Sequence, residues 1–250
     1  MSVVTRRLII AVLVLAWAPL ASAQTVDEVI EKHLTAMGGR AALAKVKSRS
    51  MTGTIALSTP VGELSGPVEV MNQAPNKSRT LIKLDLSAVG AGEMTVDQRF
   101  DGTVGFVSDS MQGNRDVTGN QLENMKNATF PSPFLDYKER GVTVELGAKE
   151  QVGGKDAYLL TIKAKSGSVV RQWVDAETYL PLRVALKVEI PQIGEVEQTT
   201  EFADFRDVDG VKVPFTIKSS SAAQSFTITV TKVEHNTKID ETLFVKPGDR

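Results

Sequence analysis

The chain of 250 residues contains no cysteine and sets 29 basic against 30 acidic side chains, a formal net charge of −1. The missing cysteine excludes disulfides, thiol catalysis, thiolate metal centres and a lipid anchor on cysteine. The charges are balanced and interspersed, so the chain has neither the basic face that nucleic acid needs nor a basic block to hold it to an anionic membrane.

The chain opens with Arg6 and Arg7, runs apolar from Leu8 to Trp17 and reaches Ala21-Ser-Ala23 just before Gln24. A positive start, a short apolar centre and small residues two apart form a secretory signal layout, and the expected cleavage follows Ala23. The apolar stretch falls short of the roughly 20 residues of a spanning helix. Residues 1–23 are therefore read as an export signal, and 24–250 as a single domain destined for the periplasm.

Thr25-Val-Asp-Glu28 has the form of a capping box, after which Val26, Val29, Ile30, Leu34 and Met37 recur at helical spacing until Gly38-Gly39. A further short turn of helix is expected over Arg40 to Val46. From Ser48 the period changes to two, as in Met51, Gly53, Ile55 and Leu57, then in Ile82, Leu84 and Leu86. The same alternation returns around Val144, Leu160, Leu186 and Ile228, with Gly, Pro, Asn and Asp turn signals between the runs. About eleven antiparallel strands are predicted, a mainly β (α+β) fold whose sheet curls. Between Gly119 and Gly141 the pattern is interrupted, and helices are expected over 121–128 and 134–138 around Pro131 and Pro133.

Chemistry-bearing constellations are sparse. His33 and His235 are isolated from any second ligand at metal spacing. Asp204, Asp207 and Asp209 lack the glycine and closing glutamate of a calcium loop, so a β-turn at Gly210 is the better reading. No nucleophile elbow, phosphate loop or dinucleotide fingerprint is present. No catalytic residue, metal or cofactor is assigned.

The C-terminal third carries Arg171-Gln-Trp-Val-Asp175, Tyr179-Leu-Pro-Leu-Arg183, Phe205-Arg-Asp-Val-Asp-Gly-Val-Lys-Val-Pro214 and Ile239-Asp-Glu-Thr-Leu-Phe-Val-Lys-Pro247. With Ala74-Pro-Asn-Lys-Ser-Arg79 and Phe100-Asp-Gly-Thr-Val-Gly-Phe106, these stretches resemble the LolA/LolB family of outer-membrane lipoprotein-sorting proteins. The resemblance implies an unclosed half-barrel with helices over a concave, hydrophobic face where acyl chains are held. It also implies acylated ligands or lipoproteins as cargo, an inner-membrane releasing complex, an outer-membrane acceptor and a monomeric carrier that catalyses nothing. In that family a basic residue precedes the proline after the second strand and helps hold the lid. Here Ala74 stands at that position, leaving Lys77 or Arg79 as candidate replacements.

The inward-facing residues expected to meet ligand are Ile55, Leu57, Leu84, Leu86, Phe106, Phe134, Trp173 and Leu186. Two other readings stay open at this level. One is an envelope sensor or interaction module of the same fold. The other is an envelope hydrolase using paired carboxylates.

Overall fold

The computed structural model describes residues 24–59, 62–87, 90–190, 194–222 and 224–248. The expected signal 1–23 and its cleavage point lie outside them.

Two helices come first, α1 (Val26–Ala36) and α2 (Arg40–Lys45), followed by β1 (Ser48–Thr59), β2 (Gly62–Gln73), β3 (Lys77–Asp85), β4 (Glu93–Phe100), β5 (Gly105–Asp109) and β6 (Arg115–Val117). Helix α3 (Gly119–Asn127) and a stretch of turns lead to β7 (Thr143–Val152), β8 (Lys155–Lys163), β9 (Val169–Asp175), β10 (Pro181–Ile190), β11 (Gly194–Val208), β12 (Val211–Ser220) and β13 (Ser225–His235). All thirteen described strands form one sheet, in the order β6-β5-β4-β3-β2-β1-β13-β12-β11-β10-β9-β8-β7. Each half is a meander of antiparallel neighbours, and the return of β13 to β1 joins the two halves. The edge strands β6 and β7 are consecutive in the chain but unpaired with each other, so the sheet is an open half-barrel. Thirteen strands stand against the eleven or so expected. β5 and β6 span five and three residues, too short for a period of two to declare itself.

Helix α1 begins as its sequence dictates. The Thr25 side chain accepts from the Glu28 backbone, and the Glu28 carboxylate accepts from Thr25 N–H at 2.9 Å. Its apolar stripe, Val29, Ile30 and Leu34, is buried with Leu43 and Val46 against Tyr158, Leu160 and Val174 of the sheet. The helix stops at Gly38 and Gly39, both at positive φ. Gly38 is demanded twice, since a Cβ there would lie 2.1 Å from the Gly210 carbonyl oxygen in the β11–β12 turn.

The second expected helix of the mid-chain insert is absent. Residues 133–141 are turns, closed by Arg140 N–H to Asp136 O at 3.2 Å and Val142 N–H to Tyr137 O at 2.9 Å. Phe134 and Tyr137 are instead buried in the core under α1.

Gly38→Ala is expected to destabilise the fold by at least ~2 kcal/mol, because backbone strain and a backbone clash add. Gly39→Ala, with no atom within 4 Å of its Cβ, carries the positive-φ cost alone. Urea unfolding of the two variants measures the difference.

Candidate functional site

Strand register identifies which residues share the covered face. Tyr158, Leu160 and Ile162 of β8 stand opposite Val174, Gln172 and Val170 of β9. Gln172 and Val170 in turn face Val184 and Leu186 of β10. Alternation sends Trp173 and Ala185 to the other side of the sheet.

The covered face holds a cavity of about 350 Å³. Its apolar floor is Ile162, Val170, Val184 and Leu186, with Val142 and Gln172 beside them. Asn124, Asn127 and Thr129 line it from α3 and the residues that follow, with Pro133 and Arg140 from the turns and Ser168 from the approach to β9. The volume lies at the lower end of the ~300–1,000 Å³ typical of small-molecule sites, and the pattern of apolar walls with a few polar groups is theirs too. A second cavity of about 210 Å³ shares Pro133, Gln172 and Val184 with the first and extends to His33, Arg49 and Phe202.

The two covers of this face are held differently. Around α1 the contacts are buried. His33 donates from Nδ1 to the Tyr179 carbonyl at 2.8 Å, packs edge-on to Phe134 and has Gln172 3.5 Å from Nε2. Burial pushes the His33 imidazole below its ordinary value of 6.5, against the Tyr179 hydrogen bond, so it stays neutral. Helix α3 buries no residue. Polar contacts hold it to the sheet: Asn124 Nδ2 donates to Lys187 O at 2.7 Å, Asn127 Nδ2 to Ser166 Oγ at 2.9 Å and Asn120 Nδ2 to Glu195 at 2.7 Å. On the far half of the sheet, Gln98 of β4 reaches the Met125 sulfur at 3.8 Å.

Behind α3 the cover is tied to the turn after β2. The Pro75 carbonyl accepts from Phe130 N–H at 2.8 Å, and Asn76 Nδ2 donates to Lys126 O at 3.3 Å. The basic partner there is neither Lys77 nor Arg79. Lys77 pairs with Glu241 of the C-terminal turn, and Arg79 binds Asp97 through bonds of 2.8 and 2.9 Å. The cation that meets this part of the cover is Arg49 of β1, its guanidinium 5.2 Å from the centre of the Phe130 ring. Arg49 Nε donates to His235 Nε2 at 3.0 Å, and burial brings its pKa down to about 10, still charged at neutral pH. Asp209 approaches His235 Nδ1 at 3.3 Å without hydrogen-bond geometry.

Of the eight residues expected to meet ligand, Leu186 lines the larger cavity. Ile55, Leu57, Leu84 and Leu86 lie together in a packed apolar cluster with Val68, apart from both cavities. Phe134 belongs to the core beneath α1. Trp173 points away from the cavity, between Arg171 and Arg183, with its indole N–H on Glu150 at 2.7 Å. Phe106 pairs with Arg99 and lies under Lys246, on the side opposite Gln98 and α3. Ile162 and Val184 carry the same alternation as Leu186, so pairing the last strands would have found them. Gln172 and Arg140 give no such signal.

Two outcomes follow from these contacts. Arg49→Gln should speed amide exchange at Phe130 in hydrogen-exchange measurements while leaving α1 protected. Both histidines titrate below 6.5 when folded, His33 through burial and His235 through burial and Arg49. The unfolded state then binds more protons below pH ~6.5, and stability falls with pH by up to about 1.4 kcal/mol per unit for each histidine until its folded value is reached. Urea unfolding between pH 7.5 and 5.5 reads this, and His33→Gln should reduce the slope.

Comparison with known proteins places this geometry among solved folds. A family model described as an uncharacterized protein matches residues 136–247, from the turns of the cover to just beyond β13. No curated protein matches the sequence. A LolA superfamily protein from Nitrosomonas europaea is similar over 90% of this chain and 99% of its own, at 16% identity and a TM-score of 0.55. A DUF1329 family protein from Desulfovibrio piger is similar over 89% and 98%, at 15% identity and 0.55. A domain described as a candidate outer membrane lipoprotein-sorting protein, from Vibrio parahaemolyticus, is similar over 87% and 94%, at 13% identity and 0.53. The chain is thus a divergent protein of LolA-like fold.

Proposed function

We propose that this chain is an exported, non-catalytic carrier of hydrophobic, acylated ligands in the periplasm, with lipoproteins bound for the outer membrane as its cargo. Residues 1–23 serve as the export signal, and 24–250 work as one carrier domain. The observation that carries the reading is the apolar cavity beneath α3, a helix that buries no residue fully, half-buries Leu122 and Met125, and is tied down by hydrogen bonds from its amides. Each such bond is worth only ~0.5–1.5 kcal/mol net, because water replaces it on opening. An acyl chain returns ~0.8 kcal/mol for every methylene it buries. A long chain taking the place of α3 on the apolar floor therefore offsets the cost of lifting the helix, including the exposure of half-buried Leu122 and Met125. The LolA-like fold and the described lipoprotein-sorting relative support the same reading.

The test is native mass spectrometry with lipid extraction on protein purified from its own periplasm without detergent. Acylated material should co-purify with the wild type, and at least tenfold less with Leu186→Asp or Ile162→Asp variants that unfold at the wild-type midpoint. A wild-type protein that is empty and takes up no acylated peptide would replace the carrier with an interaction module of the same fold.

A further inference from the structure

The larger cavity has one charged group and no opposite charge. None of its lining residues is acidic, and Arg140 supplies the only cation among them. The Arg140 guanidinium spends one donor, Nη2, on the Pro133 carbonyl at 2.6 Å. Its Nε is buried without a hydrogen-bond partner. Asp136 and Glu139, exposed on the same turn, form no ion pair with it among the described residues. Burial lowers the Arg140 pKa, with Asp136 acting weakly the other way. Beside it, Lys165 lies across Gly141, where an added Cβ would stand 2.0 Å from Cε of the lysine.

We infer that the cavity selects a single-chain amphiphile with an anionic head, the chain lying on Ile162, Val170 and Leu186 and the head received by Arg140. This rests on the carrier reading and narrows it. A cavity of about 350 Å³ suits one chain better than the several chains of a lipoprotein. The ligand of the closed state is accordingly a free anionic lipid, and larger cargo needs α3 displaced.

Calorimetric titration of the mature protein with tetradecanoate, tetradecyl phosphate and tetradecanol, each below its micelle concentration, tests the inference. Both anions should bind at least tenfold tighter than the alcohol, the order that one charge-assisted hydrogen bond supplies. A preference for one anion over the other identifies which head is native. Arg140→Gln should bring all three within about twofold of one another, and Arg140→Lys should recover part of the difference. Equal binding of acid and alcohol by the wild type overturns the inference and leaves the carrier intact. Loss of alcohol binding in Arg140→Gln also overturns it, making Arg140 a prop for Pro133. If the wild type binds none of the three, the inference falls, and the carrier reading is decided separately by uptake of the acylated peptide.

Discussion

An antiparallel sheet that curls but does not close exposes one apolar face, and something must cover it. Here the meanders run from β1 to β6 and from β7 to β13, and β13 returns to β1, so closure would need β6 against β7. That pair never forms. The chain between the two edges turns inward, and its residues Phe130, Phe134 and Tyr137 pack over Leu160 and Val174. The opening of the barrel and its cover are the same feature, because the segment that would close the sheet is the one that roofs it.

The cover is unevenly secured, and that unevenness positions the site. Helix α1 contributes Val29, Ile30 and Leu34 to a dry core and anchors His33 through the Tyr179 carbonyl. Helix α3 contributes no buried side chain and hangs from amides on Lys187 O, Ser166 and Glu195. Buried apolar contacts resist exchange with water, whereas exposed amide bonds do not. The cavity lies under the second kind of cover. Arg49, set on the Phe130 ring and backed by His235, marks the boundary between the fixed and the exchangeable parts.

The expected ligand contacts show where reading by period stops. Leu84 and Leu186 look alike in sequence, each an apolar residue at strand spacing. One is packed among Ile55, Val68 and Met94, while the other floors a cavity. Trp173 and Phe106, expected to face inward, each pair across the ladder with an arginine, Arg183 and Arg99, on the face turned away from α3. Size does not report the side of a sheet; parity relative to a known inward neighbour does.

Local pattern by itself determined the capped first helix, its stop at Gly38-Gly39, the alternating strands and the mainly β class, because each depends on neighbours within a few residues. The long-range resemblance of the C-terminal third pointed to the half-barrel. Only the tertiary structure decided the thirteen-strand order, the turns in place of a helix at 133–141, and the contact of Arg49 with the Phe130 ring. It alone brought Arg140 and Gln172 to a floor of Ile162, Val184 and Leu186. A cavity is a volume that distant segments leave unfilled, and no single segment carries a record of that space.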